Sequence, residues 1–353
     1  MSVPARAKSV LVTGGCGFMG SHFIRRLYTK YPGYHIVNLD LLTYAGNPEN
    51  LSDIVSLDQV HAVEQQRYTH ITGDICDEAL VGELFKKYDF DLVVHFAAES
   101  HVDRSIFHFG DFIRTNIEGT RVILEAVRKY DVSRMVHIST DEVYGSVPEG
   151  LSSEDAPLNP SSPYAASKTS GDMLARTYAT IYNIPVSIVR SSNNFGTHQY
   201  PEKLIPLTLT NLLNEQKIPV HGDGTHVRSW LHVEDFCDAV DRIAHDDKPF
   251  SIFNITGEHR SNLEVIQAIA AHLGKDPKEY ITHVNDRPSA DMRYAPDSRK
   301  IEHDLGWKRM HDFDASIKEV IDWYQENESW WTSIRSRKEF LDHYERQSKA
   351  QWY

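Results

Sequence analysis

Three groups of residues in this sequence have the types and spacing to do chemistry. The run STDEVYG at 139–145 places two carboxylates, Asp141 and Glu142, directly after the apolar stretch RMVHI, with a hydroxyl at Thr140 beside them. Adjacent carboxyl groups do not titrate alike: each disfavours the other's charge, so one stays an acid while the other ionises and serves as a base. In SPYAASK, Tyr164 and Lys168 stand four residues apart on a helix-like stretch and therefore share a face. An ammonium beside a phenol favours the phenolate and makes it a usable base. In VLVTGGCGFMGSH, Gly14, Gly17 and Gly20 lie between a strand and a helix. Without a Cβ in the way, backbone amides and the positive helix end can approach a pyrophosphate. Asp40 ends the next strand, HIVNLD, where a carboxylate accepts hydrogen bonds from an adenosine ribose and repels a 2′-phosphate, which favours NAD over NADP. A metal at Asp141 and Glu142 is the weaker reading, since no histidine stands at a helical or hairpin ligand spacing from the pair.

These groups need a framework to bring them together. The apolar runs SVLVTGG, HIVNLD, DLVVHFAA, RMVHIST and VSIVRSS alternate with helical periodicity over 20–31, 112–130 and 164–183. Continuously apolar strands separated by helices predict an α/β fold: a doubly wound, Rossmann-like parallel sheet covered on both faces. TGDICD at 72–77 and FAAES at 96–100 end further strands on the same sheet edge, outside which the ligand crevice of such a sheet lies. After about residue 190 the texture changes, with Pro201, Pro206, Pro219 and a Gly-Asp-Gly turn at 222–224. The expected organisation is an NAD-binding Rossmann domain over 1–189, with segments returning from about 230–260. A smaller mixed α/β substrate domain follows over 190–330, then a terminal helix and tail over 331–353 with no evident chemical role.

At 353 residues, 41% apolar and 25% charged, the chain suits one to two folded domains. Its 50 acidic and 37 basic residues give a net charge of −13 with no Lys/Arg-rich block, which argues against nucleic acid and anionic membrane as partners. Cys16, Cys76 and Cys237 are far apart and lack C-x-x-C spacing, so neither a disulfide framework nor a zinc knuckle is indicated, and a reducing, cytoplasmic setting is expected. The N-terminus passes from a short polar lead into a strand without a signal peptide's apolar stretch, and no run approaches the ~20 apolar residues of a membrane helix.

Read in order from about residue 9 to at least 325, VTGGCGFMGSH, LTYAGN, GDICD, FAAESHVDRSI, TNIEGT, STDEVYG, SPYAASK, SSNNFGTHQYPEKLIP, VEDF, NDRP and DLGWK resemble the extended short-chain dehydrogenase/reductase family. STDEVYG narrows the resemblance to the nucleotide-sugar 4,6-dehydratases, because the related epimerases and decarboxylases lack the Asp-Glu pair. The resemblance implies an NAD-dependent lyase that removes water across C5 and C6 of a nucleoside-diphosphate hexose. dTDP-glucose stands first among the substrates; UDP-, GDP- or CDP-linked hexoses, N-acetylated ones included, are alternatives, and 4-epimerisation or decarboxylation of a UDP-sugar is a more distant one. Oxidation at C4 makes the C5 hydrogen α to a ketone and so removable.

Carried over residue by residue, Tyr164 takes the 4-hydroxyl proton as hydride leaves C4, Lys168 lowers the tyrosine pKa, and Thr140 bonds the sugar oxygen. Glu142 abstracts the C5 proton and protonated Asp141 gives a proton to the departing 6-hydroxyl. NAD is implied at Gly14, Gly17, Phe18, Met19, Gly20, Asp40, Thr43, Asp74, Ile75, Ala97, Ala98, Ser100 and Thr115, with Tyr164 and Lys168. The nucleotide sugar is implied at Ser100, Thr140, Asn193, Glu202, Lys203, Leu204, His221, Arg228, Asn262, Arg287 and Tyr294, and no metal is required. A homodimer through helices 112–130 and 164–183 is also implied. Departures from the family pattern cluster at the nucleotide end: His221 and Ala290 replace the usual Tyr and His, Ser229 and Met292 the usual Asp and Arg, and Leu41 a frequent Lys.

Overall fold

A computed structural model describes residues 8–288, 290–350 and 352. The first six strands are β1 (Lys8–Thr13), β2 (Tyr34–Asp40), β3 (Tyr68–Thr72), β4 (Leu92–His95), β5 (Arg134–Thr140) and β6 (Val186–Ser191). They are followed by β7 (Asn193–Phe195), β8 (Ile218–His221), β9 (Val227–His232), β10 (Ser251–Ile255), β11 (Glu258–Ser261) and β12 (Ile281–Val284). Seven of these form one all-parallel sheet in the order β10-β6-β5-β4-β1-β2-β3. The order reverses between β1 and β4, which opens the crevice at their carboxyl ends.

The apolar runs sort their side chains to two covered faces. Val10 and Val12 of β1 pack with Phe23, Ile24 and Leu27 of the helix Phe18–Lys30, whereas Leu11 between them packs on the other face with Val37, Leu39 and Val93. β3 was not legible as an apolar run because it is a sheet-edge strand, YTHIT, half-buried along most of its length. β10 returns from beyond residue 250 to pair with β6, and the helix Val233–Ala244 packs against the helix Phe18–Lys30.

The helix expected over 164–183 runs Pro163–Tyr182. Ser162 caps it, its hydroxyl accepting from the Ala165 amide at 3.1 Å, with Pro163 in the first position and a left-handed Asn183 at the end. The stretch expected as one helix over 112–130 is broken in pitch: α-helical over Phe109–Phe112, π-helical over Ile113–Gly119 and α-helical again over Thr120–Lys129. The wider turn fits functional sites elsewhere, and here it sets Asn116 inward. Asn116 accepts from the Glu99 amide and donates to the Glu99 carbonyl and the Ser167 hydroxyl, each at 2.9 Å.

β11-β9-β7 form a three-stranded mixed sheet, and β12-β8 a parallel pair. They pack around a third core containing Phe195, Trp230, Phe313 and Tyr324. The terminal segment joins that core: the helices Glu328–Arg335 and Lys338–Ser348 contribute Trp331, Ile334 and Phe340.

Candidate active site

The carboxyl ends of β1, β2, β4, β5 and β6 open into one cavity of about 440 Å³, walled on the far side by residues from 193 onward. At its cofactor end, Gly14 has φ +71°, and a Cβ there would lie 2.6 Å from the Ala97 nitrogen; one on Gly20 would lie 2.4 Å from the Gly14 carbonyl oxygen. No larger residue fits either place, and the helix starting at Phe18 turns its unpaired first-turn amides toward the cavity end. Asp40 lines this end with both oxygens partly engaged, Oδ2 accepting from the Cys16 amide at 2.9 Å and Oδ1 from the Leu42 amide at 2.8 Å. It thus braces the glycine turn while keeping lone pairs for a ribose. Phe18, Met19, Thr43, Asp74, Ile75, Ala97, Ala98, Ser100 and Thr115 line the same region, as does half-exposed Leu41. The glycine cradle, helix N-terminus and acidic strand end fit the adenosine diphosphate of NAD.

Deeper in, Thr140, Glu142, Tyr164 and Lys168 line the cavity together. Asp141 is 2% exposed and is not among the lining residues; its Oδ2 has no hydrogen-bond partner, and the Thr140 hydroxyl donates to Oδ1 at 3.4 Å. Burial, then the charge of Glu142, hold the Asp141 carboxyl well above the ordinary aspartate range. Glu142 is raised by burial too, but the positive charges of Arg228, Lys203 and Arg287 oppose that rise. The pair is therefore split into a group that keeps its proton and one that gives it up more readily.

Tyr164 differs from expectation in one respect. Burial, then the Glu142 charge, raise its phenol above the ordinary tyrosine value, and a Thr140 hydrogen bond opposes them. The Lys168 ammonium instead donates to the Ile138 carbonyl at 2.7 Å. Burial pulls Lys168 down to about 8, against the charge of Asp172.

At the opposite end Asn193, Glu202, Lys203, Leu204, His221, Arg228, Asn262, Arg287 and Tyr294 all line the cavity. Arg287 is ion-paired with wholly buried Asp103, Arg104 donates to Glu202 Oε2 at 2.9 Å, and Lys203 donates to the Ser100 carbonyl at 2.7 Å. Arg228 stacks 4.4 Å above the Tyr294 ring and donates to the Asp291 carbonyl at 2.8 Å. Tyr294 donates to Asp291 Oδ2 at 2.7 Å, with Glu142 Oε2 3.5 Å away. Of the departures, Ser229 is buried against Thr256 and Gly257, so it supports the fold, while His221 and Ala290 face the cavity.

Residues not singled out from sequence are Asp103, Asp291, Glu99 and Gln347. The first three lie within or beside quoted motifs, and burial, opposed by Arg104, pushes Glu99 up to about 7; Gln347 has no motif around it. Among the described residues one group has metal-ligand geometry, His101, Glu202 and His343, with ligand atoms within 4.8 Å of one another. Glu202 already accepts from Arg104, and Lys203 and Arg287 add positive potential there, which disfavours a cation.

The profile of the GDP-mannose 4,6 dehydratase family matches residues 11–320. A dTDP-glucose 4,6-dehydratase of Streptomyces niveus is 42% identical over 335 residues, covering 94% of this chain and 96% of that protein. The crystal structure of the dTDP-glucose 4,6-dehydratase of Streptomyces venezuelae, with NAD and dTDP bound, superposes with a TM-score of 0.86 at 41% identity, covering 92% of this chain and 99% of that one. A UDP-glucose 4-epimerase of Thermotoga maritima superposes at 0.81 with 25% identity, over 90% of this chain and 99% of that one.

Proposed function

The chain belongs to the GDP-mannose 4,6 dehydratase family of nucleotide-sugar enzymes, and on that premise we propose that it is an NAD-dependent lyase converting dTDP-glucose to dTDP-4-keto-6-deoxyglucose. The observation that carries this reading is the pair of adjacent carboxyls at the end of β5: Glu142 lines the cavity with Tyr164, and Asp141 is buried directly beside it with an unpartnered Oδ2, its carboxyl held well above the ordinary aspartate range by burial and then by the Glu142 charge. An epimerase has no use for that pair, since it neither removes the C5 proton nor expels the 6-hydroxyl.

NAD, when bound, would supply a hydride acceptor at C4, making it a ketone for the elimination, and would return that hydride to C6 once water has left, with C5 reprotonated, so that the product is the 4-keto-6-deoxy sugar and NAD ends oxidised. Tyr164 would accept the 4-hydroxyl proton as its phenolate, which the positive charge of the bound NAD nicotinamide beside it would favour over the buried phenol, with Thr140 holding the same oxygen. Lys168, anchored on the Ile138 carbonyl, has two further N–H donors for the nicotinamide ribose. Glu142 takes the C5 proton, now α to the ketone, and Asp141 protonates the departing 6-hydroxyl, so one proton is taken and one given. Arg287 and Lys203 hold the diphosphate, arginine through its planar donor fork.

The cofactor unit in this reading is 1–189 with the returning 230–260, and the substrate unit 190–330. Phe109, Ile113, Met173, Ile181 and Tyr182 expose large apolar surface on the helices over 109–129 and 163–182, which supports a homodimer through them. Three free cysteines support a cytoplasmic setting, and among the described residues no helix is long and apolar enough to cross a membrane. The test is a panel of dTDP-, UDP-, GDP- and CDP-hexoses followed by mass spectrometry for loss of water. Turnover of dTDP-glucose with NAD left oxidised is expected, and no dehydrated product from any of them would sink the reading.

A further inference from the structure

The helix Lys338–Ser348 carries no recognisable motif, yet it inserts Gln347 into the cavity wall at the nucleotide end. Gln347 is 4% exposed. Its side-chain Nε2 donates to Asp103 Oδ2 at 3.1 Å and to the Glu202 carbonyl at 3.4 Å, and its own backbone carbonyl accepts from His221 Nε2 at 3.2 Å. Its Oε1 is buried without a hydrogen-bond partner. Around it, His343 meets His101 edge-on at 4.8 Å, and Trp352 packs edge-on against His221 at 5.2 Å. One residue thus touches the partner of Arg287 and the backbone of Glu202 through its side chain and the ring of His221 through its backbone.

We infer that Gln347 is a positioning residue for the nucleotide sugar, and that the C-terminal helix forms a wall of the diphosphate-binding end of the cavity. Asp103 is wholly buried, and Arg287 Nη2 lies 3.3 Å from its Oδ2. A carboxylate so close to an anionic diphosphate has to be neutralised and held still, or it repels the ligand and lets the guanidinium swing. Arg287 Nε pairs with Asp103 Oδ1, and Gln347 donates to Oδ2, which Arg287 Nη2 also approaches, so it fixes the carboxylate that fixes the arginine. His221, which departs from the family pattern, is held by the same residue through its backbone carbonyl, which ties the altered nucleotide wall to this helix. The inference rests on the reading of the cavity as a nucleotide-sugar site.

The test uses the full-length holoenzyme with Gln347→Met, which keeps the length and removes the donor, and Gln347→Glu, which sets a second carboxylate against Asp103. For Gln347→Met the KM for dTDP-glucose is expected to rise about tenfold while kcat stays within about twofold, the split that marks lost binding. The dissociation constant of dTDP, measured by calorimetry, rises by the same factor, with bound NAD per subunit unchanged. Gln347→Glu raises both constants further. Wild-type affinity for dTDP in either variant would overturn the inference, as would a methionine variant that loses NAD and dTDP alike. If the wild-type enzyme neither turns over nucleotide sugars nor binds dTDP, the functional reading itself fails, and the two failures are told apart.

Discussion

Asp141 and Glu142 are chemically near-identical neighbours that the fold treats differently. Asp141 is buried and not among the residues lining the cavity, with an unpartnered oxygen, whereas Glu142 lines it within the field of Arg228, Lys203 and Arg287. Asp141→Asn is expected to lower kcat by about 100-fold or more, the usual contribution of a general acid, with bound NAD retained. The same change should stabilise the protein. The folded state raises the Asp141 pKa above its ordinary 3.8. Its contribution is therefore fully present below that value and is lost as pH rises toward the raised folded one. At pH 7 the asparagine variant should melt about 2 °C higher or more, a difference that disappears in scans below the ordinary aspartate pKa. Glu142 must be ionised to act as a base, and its pKa lies above the ordinary glutamate value of 4.5. The acidic limb of kcat against pH should accordingly fall above 4.5, and a limb at or below that value would exclude Glu142 as the group observed.

At the scale of elements, the glycine turn and the pitch change before residue 120 position the site. Gly20 packs so closely on the Gly14 carbonyl that a methyl group there would displace the turn itself. Gly20→Ala should yield protein with less than about a tenth of the wild-type NAD content, read from absorbance after denaturation, with the nucleotide end still able to bind dTDP. The glycine spacing and the acid at Asp40 were legible because both are local: a strand, a tight turn, a helix and the next strand follow without interruption. The π-helical segment over 113–119 was not legible, because its pitch is set by what Asn116 reaches, the backbone of Glu99 and the hydroxyl of Ser167. Periodicity saw only one long apolar face there. β3 was legible only at its end, TGDICD, because as an edge strand it has little apolar burial to announce it.

For the whole molecule, the helix Pro163–Tyr182 carries Tyr164 and Lys168 inward and leaves Met173 and Ile181 exposed. If that outer face joins two subunits, Ile181→Glu should convert a dimer of about 80 kDa into monomers by light scattering, because a charge cannot be buried unpaired in an apolar interface. A wild-type protein that is already monomeric would remove the dimer from the account. The sequence was sufficient to find the groups able to do the chemistry, because Thr140, Asp141 and Glu142 are consecutive, Tyr164 and Lys168 share one helical face, and strand ends of a parallel sheet converge on one edge. Only the tertiary structure shows that Asp141 is buried beside, and not among, the residues lining the cavity, that Lys168 donates to the Ile138 carbonyl, and that a terminal segment without a motif reaches the cavity wall. Those outcomes depend on burial and on partners distant along the chain, Arg287 with Asp103 across 184 residues and Gln347 with Asp103 across 244, and no local pattern records such pairings.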